Sequence, residues 1–508
     1  MVKRRQFLMA LDFGTGAGRC YLISVDGQQS FEQYSEWEYS YPPEAQPGGS
    51  EFNAEEFWDI LSNLIRRTIK KAGIDPAQII AVSSTSQREG VVFLDKNGKE
   101  LYAGPNLDMR APRNSSEFEA QFAENIHASS GHWPMPMFLP YRLLWFKENK
   151  PEIYEKIDSI VLLNNWILFR LSGERITDPS NGVETLLVDL KKRDWNSPLI
   201  KKLGFPERYF PPVYESGTFI GKVTTKAAAE TGLSAGTAVV SGGADSQCGL
   251  LGNGAVAEGE IGVTLGTYGP LQMVLNNPVI AKPELTWSGC HVVPHAWVIE
   301  STSMEAGQTF RWIRDIFYAN EIGDVYTLME KEASTAPPGS NGLKAYIGPR
   351  LPNYRNLDFN CSGGFVTQLP ATPGRVARKD FSRAALEAVA YGVKLNVDRL
   401  QRVAGLALLD LRACGGLTKS RTLLQIMANL LQVPVFVPKQ KEGSALGAAI
   451  CAGVGANIFK SMIEGAQVCV KEDLLLQPEY ESGSVYQELF ADWKQHYKTM
   501  YGERILEA

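Results

Sequence analysis

Cysteine and histidine are scarce in this sequence of 508 residues, and neither forms a metal-binding motif. The seven cysteines are scattered, odd in number and never spaced as CxxC, which excludes a disulfide framework and a zinc knuckle and favours reduced, mostly buried thiols. His291 and His295 are four residues apart, but Pro294 argues against a helix that would bring both onto one face. We therefore expect no metal site built from histidine or cysteine.

Long hydrophobic runs and an excess of positive charge are also missing. The basic start is followed by an apolar run that Asp12 ends after a few residues, which is too short for a signal sequence or a membrane span. The net charge is −5, and basic residues cluster only in short pieces such as residues 191–193. We expect a cytoplasmic protein that binds neither nucleic acid nor a membrane.

Neither of the two common phosphate-binding fingerprints fits the chain. No GxxxxGK[ST] occurs, and GTGAGR has Arg19 where GxGxxG requires its third glycine. The stretch FLMALDFGTGAGRCYLISVDGQQ, residues 7–29, instead predicts two short strands with a glycine-rich turn directly after Asp12. Glycines there let backbone N–H groups approach an anion, and a plain glycine hairpin is the alternative. A phosphate site in this turn would belong to neither a P-loop nor a Rossmann fold.

Length and composition predict a multidomain α/β protein. At roughly 100–200 residues per domain, a chain of this length with 44% hydrophobic residues contains two or more domains. An apolar stripe with helical spacing begins near Asn53 and Ala54, and residues 79–86, IIAVSSTS, predict a buried strand. Further helix and strand patterns follow in alternation, which favours an α/β core.

The second half of the chain repeats the design of the first. Residues 260–275, EIGVTLGTYGPLQMVL, again predict a strand, a turn at Gly266 and Thr267, and a second strand. Two such hairpins indicate two similar domains. Between them, TAVVSGGADSQCGLLGNGAV at residues 237–256 predicts a strand and a glycine-dense turn that carries Asp245, and we place the domain junction there.

A third glycine element lies in residues 412–455. A strand ends at Cys414, two glycines make a turn, and Thr418 or Ser420 can cap the helix that follows. A helix N-terminus that follows two glycines is a good place for a nucleotide to bind. The later run SALGAAICAG predicts a helix packed closely against a neighbour, which requires no ligand.

In this order, the segments resemble the FGGY family of carbohydrate kinases over nearly the whole chain. LDFGTGAGR is similar to the family's first phosphate segment, SGGADSQCGLLG to its catalytic-acid segment and GVTLGTYG to its second phosphate segment. CGGLTKSRTLLQIMANLLQVPV and EGSALGAA are similar to its adenosine-side signature. The resemblance implies two similar actin-like, ribonuclease-H-like α/β domains, residues 1–252 and 253–508, with a catalytic cleft between them.

Within the family, segments such as SQREGVVFLDKNG and LSGERITDPSNG are most similar to the autoinducer-2 kinase branch. Glycerol kinases share a QRE-type segment, whereas xylulose kinases usually have Gln-Met-His where this chain has Arg88 and Glu89. The resemblance implies transfer of the γ-phosphoryl group of ATP, with Mg²⁺, to a hydroxyl of a small sugar-like molecule, foremost an autoinducer-2 precursor (dihydroxypentanedione). The alternatives are a conventional kinase for glycerol, a tetritol or a pentulose such as xylulose, and a non-catalytic nucleotide-gated actin-like module, which the presence of both Asp12 and Asp245 disfavours.

The resemblance also assigns roles to residues on the ATP side. Asp245 is the expected base, because phosphoryl transfer needs a group that orients the hydroxyl and accepts its proton. Asp12 is the expected Mg²⁺ anchor, through water, because Mg²⁺ takes only one or two protein carboxylates beside the phosphates. The residues expected at the phosphates are Thr15, Gly16 and Arg19 from one domain and Gly266 and Thr267 from the other. Those expected on the adenosine side are Gly415, Gly416 and Ser420.

On the acceptor side, Arg88 and Glu89 are adjacent charges at the end of an otherwise apolar strand. A guanidinium donates and a carboxylate accepts, so together they can bind neighbouring oxygens of a small polyol, and a surface ion pair is the alternative. Asn106 and Gln247 are weaker candidates by resemblance, since their amides can equally support turns. The expected partner is a small-molecule sugar or polyol, and the sequence leaves open whether the chain forms a homodimer.

Overall fold

The computed structural model describes residues 5–113, 115–357, 361–368 and 374–502, and its first half contains one large mixed sheet. The strands of this half are β1 (Phe7–Phe13), β2 (Ala17–Ser24), β3 (Ser30–Glu36), β4 (Ile79–Ser86), β5 (Val91–Leu94), β6 (Glu100–Gly104), β7 (Ser159–Leu162), β8 (Val188–Asp189), β9 (Asp194–Trp195), β10 (Phe219–Lys222), β11 (Ala238–Val240) and β12 (Gly243–Ala244). The helices are α1 (Ala54–Ala72), α2 (Ser115–Ser130), α3 (Leu139–Asn149), α4 (Pro151–Tyr154), α5 (Leu163–Ser172), α6 (Pro179–Gly182), α7 (Ser197–Lys202), α8 (Thr225–Thr231) and α9 (Asp245–Gly252).

The large sheet of the first half has the strand order β10-β11-β4-β1-β2-β3, and β12 also pairs with β4. Strands β1, β2 and β3 are antiparallel, while β4 is parallel to β1 and β11 is parallel to β4. The hairpin predicted in residues 7–29 and the buried strand at residues 79–86 are thereby confirmed. The predicted helix is α1, which Asn53 caps through the N–H groups of Glu55 and Glu56 and which ends at Gly73 in the left-handed conformation.

The second half is built on the same plan. Its strands are β13 (Ile261–Thr264), β14 (Tyr268–Leu275), β15 (Trp287–Cys290), β16 (Trp297–Glu305), β17 (Lys344–Tyr346), β18 (Gly364–Val366), β19 (Leu411–Cys414), β20 (Val435–Pro438) and β21 (Glu472–Leu476). Its helices are α10 (Gly307–Phe317), α11 (Val325–Thr335), α12 (Arg378–Ala404), α13 (Arg421–Leu431), α14 (Gly443–Gly455), α15 (Met462–Cys469) and α16 (Tyr480–Tyr501).

The sheet of the second half has the order β15-β16-β14-β13-β19-β20-β21. Strands β16, β14 and β13 are antiparallel neighbours, and β19 and β20 continue the sheet in parallel with β13. The pairing of β3, β2, β1, β4 and β11 in the first sheet is thus repeated by β16, β14, β13, β19 and β20 in the second. This correspondence confirms the predicted pair of similar α/β units.

Helix α14 connects the two halves. It packs against α9 and against β1 and β4 of the first sheet, and its alanines belong to the same buried cluster as Leu8 and Ala10 of β1. Gly447 permits this approach, because a Cβ at that position would lie 1.9 Å from the carbonyl oxygen of Cys248 in α9. The tight helix packing predicted from SALGAAICAG is confirmed. The boundary at residue 252 stays a prediction, since α14 completes a core on the other side of it.

The arrangement places both predicted phosphate turns at strand ends. The turn after β1 lies at the carboxyl end of that strand, and the turn at Gly266 and Thr267 joins β13 to β14. Helix α9, which begins at Asp245, follows β12 directly. Among the described residues, no helix has the length and apolar character needed to cross a membrane.

Candidate active site

Two acidic residues lie in the same neighbourhood where the halves meet. Asp12 lies near the end of β1, opposite Thr85 of β4, and Thr85 in turn is opposite Gly243 of β12. Two strand spacings of about 4.8 Å separate Asp12 from Gly243, so their backbones lie roughly 10 Å apart. Asp245 begins α9 two residues later, and, after burial, its charge is the next cause that raises the pKa of the Asp12 carboxyl. The structure therefore brings together the two acids that the sequence analysis singled out.

The two acids differ in their surroundings. Burial, followed by the charge of Asp245, raises the pKa of Asp12 to about 7, and Asp12 Oδ1 has no hydrogen-bond partner among the described residues. Burial also raises the pKa of Asp245, but Arg88 and two hydrogen bonds from Ser246 oppose the rise. The Ser246 N–H and hydroxyl donate to Asp245 Oδ1 at 2.7 and 3.2 Å. Asp245 is thus oriented by its own helix, whereas Asp12 has a buried oxygen without a partner.

That unpartnered oxygen fits a cation. A buried carboxylate oxygen without a hydrogen bond is costly, and a divalent ion with its water would satisfy it and neutralise the pair of acids. Within the described ranges, no group of three or more histidine, cysteine, aspartate or glutamate side chains could hold a metal ion alone. A cation here would take its remaining ligands from water and phosphate.

The first glycine turn leaves two of its N–H groups without a protein acceptor among the described residues. In the described part of the chain, the N–H groups of Thr15 and Gly16 donate to no protein acceptor, while Gly14 N–H donates to the carbonyl of Ala17 at 3.0 Å. The Thr15 hydroxyl accepts from the side-chain amide of Asn106 at 3.0 Å. Asn106 therefore supports this turn, which is the alternative role considered for its amide.

Backbone hydrogen bonds from the N-terminal end of α10 hold the second glycine turn in place. The N–H groups of Ala306 and Gly307 donate to the carbonyls of Thr267 and Gly266 at 2.9 and 2.8 Å. The N–H of Thr267, in contrast, has no acceptor within the part of the protein that the structure describes, and Thr267 is exposed. Both turns therefore present unpaired N–H groups to solvent, as an anion site requires.

Three of the predicted glycines have no steric reason within the protein to be glycine. Gly16, Gly266 and Gly416 all have ordinary φ angles, and a Cβ would meet nothing within 4 Å at Gly16 or Gly416 and only the carbonyl of Tyr268 at 3.8 Å at Gly266. The space beside each backbone is open. A phosphate or nucleotide approaching the backbone at these positions would account for the glycines.

Gly415 and Ser420 have structural roles of their own. Gly415 has a φ of 96°, and a Cβ there would lie 2.7 Å from the backbone of Leu265, so the chain requires glycine for a close crossing. Ser420 caps α13 by accepting from Leu423 N–H at 3.1 Å, which confirms one of the two predicted caps, and its hydroxyl donates to Glu330 at 2.5 Å. The adenosine-side roles of Gly415 and Ser420 stay predictions.

Arg19 joins the first turn to α14. Its Nε lies 3.0 Å from Glu442, the residue before α14, and its Nη1 lies 4.0 Å from Asp12. Arg19 lowers the pKa of Asp12, against the opposing effects of burial and Asp245. The guanidinium is more than a third exposed, so it can also reach a ligand in the cleft.

The acceptor-side arginine lies between acids from both halves. Arg88 follows β4, and its two terminal nitrogens contact the two carboxylate oxygens of Glu300 on β16 at 2.8 and 3.0 Å. Arg88 Nη1 also lies 3.5 Å from Glu184, whose other oxygen is 3.2 Å from His132 Nε2. The Arg88 side chain is 15% exposed, so the alternative of a surface ion pair is wrong.

Glu89 and Gln247 lie in the same neighbourhood with few protein partners. Glu89 has a φ of 61° and is buried, and burial, opposed by Arg88 and reinforced by Glu184 and Asp245, raises its pKa to about 8. Gln247 is 1% exposed, yet neither amide atom has a hydrogen-bond partner among the described residues. A buried amide without partners is costly, and a bound polyol would satisfy it.

Four further residues of this neighbourhood were not predicted from the sequence: Glu184, His132, Glu300 and Glu442. Glu442 lies within the quoted segment EGSALGAA, so its place in a family motif could have marked it. Glu184 and Glu300 lie far from Arg88 in sequence, and no local pattern indicates that they surround it. Glu184 reaches Arg88 through the fold of the first half, and Glu300 reaches it because the second half docks against the first.

Comparison with known proteins identifies the family. Residues 7–252 match the family model for the N-terminal domain of the FGGY family of carbohydrate kinases, and residues 262–456 match the model for its C-terminal domain. The chain is 34% identical over 505 residues to an autoinducer-2 kinase of Salmonella paratyphi A, covering 97% of this chain and 94% of that one. It is also 34% identical over 510 residues to an autoinducer-2 kinase of Escherichia coli K12, covering 98% and 95%.

Solved structures share the fold. A xylulose kinase from Rhodospirillum rubrum superposes with a TM-score of 0.84 at 23% identity, covering 99% of this chain and all of that one. A Plasmodium falciparum glycerol kinase with ADP gives a TM-score of 0.84 at 21% identity, covering 98% of each chain. The two-domain actin-like fold predicted from the sequence is confirmed. This chain therefore belongs to the FGGY family of carbohydrate kinases and is an ATP-dependent carbohydrate kinase.

Proposed function

We propose that the protein transfers the γ-phosphoryl group of ATP to a hydroxyl of an open-chain autoinducer-2 precursor, dihydroxypentanedione, or a closely related small molecule. The observation that carries the choice of acceptor is the 34% identity to autoinducer-2 kinases over nearly the full length of both chains. The solved xylulose and glycerol kinases, at 21–23% identity, support the fold alone. Conventional polyols and ketoses therefore serve as competing acceptors in the test.

Asp245 is the proposed base. The acceptor hydroxyl oxygen attacks the γ-phosphorus, the bond from that phosphorus to the β-phosphate oxygen breaks, and Asp245 takes the hydroxyl proton. Ser246 fixes one carboxylate oxygen, which leaves the other to orient the hydroxyl. The proton must move late, because an aspartate is a weak base toward an alcohol even when burial raises its pKa.

Asp12 is the proposed anchor for Mg²⁺, through water. When bound, the ion would offset the negative charge that the phosphates bring to the cleft. Asp12 is suited to this role because its buried Oδ1 lacks a partner and because its charge is disfavoured by Asp245 when no cation is present. Arg19 and the free N–H groups of Thr15, Gly16 and Thr267 would bind the phosphate oxygens.

Arg88, Glu89 and Gln247 form the proposed acceptor site. Arg88 and Gln247 can donate to acceptor oxygens, and Glu89 and Gln247 can accept from hydroxyls. All three lie beside Asp245 or on the helix that it begins, so a hydroxyl bound among them is within reach of the base. Gly416 and its neighbours would receive the adenosine side of ATP.

The test is ADP release in the presence of ATP and Mg²⁺ across a panel of acceptors. The panel contains dihydroxypentanedione, glycerol, erythritol, xylulose and ribulose. We expect the highest kcat/KM with dihydroxypentanedione. A higher value for glycerol or a pentulose would overturn the proposed acceptor, and no acceptor-dependent turnover with any member would favour a nucleotide-gated binding module.

Gly266→Ala is expected to raise the KM for ATP about tenfold while leaving the melting temperature unchanged. A Cβ at Gly266 meets only ordinary contacts in the protein but would intrude where phosphate is proposed to lie. Steady-state kinetics and a thermal melt of the nucleotide-free protein measure the two effects. Thr224→Ala is the control, since Thr224 caps α8 by accepting from Ala227 N–H at 3.1 Å, and loss of a helix cap costs about 1 kcal/mol of stability and should leave the KM for ATP within twofold. An unchanged KM in Gly266→Ala would remove this turn from the phosphate site.

Gln247→Leu is expected to raise the KM for the acceptor at least fivefold, with no loss of stability and no change in the KM for ATP. The amide has no protein partner to lose, but it would lose its bonds to the acceptor, worth about 1–3 kcal/mol. Gln425→Leu is the matched control, because that amide donates to Asn429 and Gln477, so its loss should affect stability alone. An acceptor KM unchanged in Gln247→Leu would show that the amide lies outside the site.

A further inference from the structure

The arginine proposed to bind the acceptor is held by the opposite half of the protein. Arg88 lies two residues after the end of β4 in the first sheet, whereas Glu300 lies on β16 of the second. The contact is bidentate, at 2.8 and 3.0 Å, and the Glu300 side chain is 7% exposed. A buried bidentate pair of this kind fixes the plane of the guanidinium as well as its position.

Glu300 is itself fixed on both sides within its sheet. Gln272 on β14 and Trp287 on β15 are its cross-strand partners, so the carboxylate lies in the middle of three strands. Gln272 Nε2 donates to Glu300 Oε2 at 2.6 Å. The guanidinium carbon of Arg88 lies 5.9 Å from the centre of the Trp287 ring, within the range of a cation–π contact. The second sheet thus holds the Arg88 side chain, which belongs to the first half, in a fixed position.

A competing carboxylate lies close to Arg88. Glu184 is 3.5 Å from the Nη1 that Glu300 contacts at 2.8 Å. A guanidinium has five N–H donors, and the contacts with Glu300 and Glu184 engage three of them, which leaves two for an acceptor molecule. If Glu300 lost its charge, Arg88 would move toward Glu184, and the two remaining donors would point elsewhere.

We propose that Glu300 is a positioning residue for the acceptor site, which aims Arg88 across the cleft from the opposite half of the protein. This inference rests on the proposed function, because it takes Arg88 to bind the acceptor. It adds a residue that makes no proposed contact with the substrate. It also implies that the acceptor site is complete only when the two halves are docked at this contact.

The test compares Glu300→Gln and Glu300→Asp with the wild type, using the acceptor that the panel identifies. Glu300→Gln is expected to raise the acceptor KM at least tenfold, with kcat changed less than threefold and the KM for ATP unchanged. Glu300→Asp keeps the charge and is expected to recover part of the loss. If Glu300 had only a structural role, Glu300→Gln would lower stability without raising the acceptor KM selectively over the KM for ATP.

Glu260→Gln is the matched control. Glu260 is also mostly buried in the second half and pairs with Arg412 at 2.8 Å, so its loss should affect stability without changing the acceptor KM. An acceptor KM in Glu300→Gln equal to that of the wild type would overturn the inference while leaving the proposed function intact. A wild type without acceptor-dependent turnover would instead overturn the proposed function.

Discussion

Asp245→Asn is expected to lower kcat for phosphorylation of the acceptor by about 10²–10⁴, the range for loss of a general base. Asparagine keeps the size of the side chain and can still accept the hydrogen bonds from Ser246 through its Oδ1. It cannot take the hydroxyl proton. The KM for ATP should change less than threefold, because Asp245 is proposed to act on the acceptor. Acceptor-dependent ADP release under saturating substrates measures the effect.

A matched control for this variant lies in the same chain. Asp324 caps α11 by accepting from Thr327 N–H, so Asp324→Asn exchanges one good capping residue for another at an exposed site. It should retain full activity and stability. Turnover by Asp245→Asn within threefold of the wild type would remove proton transfer from the role of Asp245.

Asp12→Asn is expected to stabilise the nucleotide-free protein at pH 8. It should also abolish the rise in melting temperature that Mg²⁺ causes in the presence of ADP. The folded protein holds the Asp12 proton up to about pH 7, whereas the unfolded chain releases it near pH 4, so ionisation costs stability as the pH rises from about 4 to 7. Above pH 7 the whole cost is present, on the order of 4 kcal/mol. Asparagine cannot ionise, so it removes this cost. Urea denaturation at several pH values measures the difference between variant and wild type, which should shrink toward pH 4.

Asp26→Asn is expected to change the stability at pH 8 in the opposite direction. A hydrogen bond from Ser24 and a backbone N–H hold the pKa of this exposed carboxyl below its usual range, so its charge stabilises the fold above about pH 4. Loss of this charge should destabilise the folded protein slightly at pH 8 and have no effect on stability at low pH. In the presence of ADP, Mg²⁺ should raise the melting temperature of the wild type and of Asp26→Asn, and not that of Asp12→Asn. A Mg²⁺ response retained by Asp12→Asn would place the cation elsewhere.

Local patterns predicted the strands, turns and helix caps well. The hairpin around residues 14–16, the strand that ends at Cys414 and the cap at Ser420 all depend on neighbours in sequence, and the structure has each of them. The order of the glycine segments was enough to identify the family. The two acids, Asp12 and Asp245, were found because each stands alone in an apolar or glycine-rich stretch.

Long-range contacts could not be predicted in the same way. Nothing near Arg88 in the sequence indicates that Glu300 would hold it, because that contact depends on how the two halves dock. Likewise, the assignment of Asn106 to the acceptor by resemblance stays a prediction, and no local pattern indicates that its side-chain amide donates to the Thr15 hydroxyl of the first phosphate turn. Side chains that act across the cleft are specified by the assembled fold and leave no local signal.

The proposed reaction transfers the γ-phosphoryl group of ATP to a small hydroxyl compound and not to water. Phosphorus NMR of a reaction containing the protein, Mg²⁺, ATP and dihydroxypentanedione follows all products at once. We expect a phosphomonoester signal that grows in equal amount with ADP and is absent when the acceptor is omitted. Inorganic phosphate as the only product beside ADP would contradict the proposed phosphoryl transfer, because it would show hydrolysis instead.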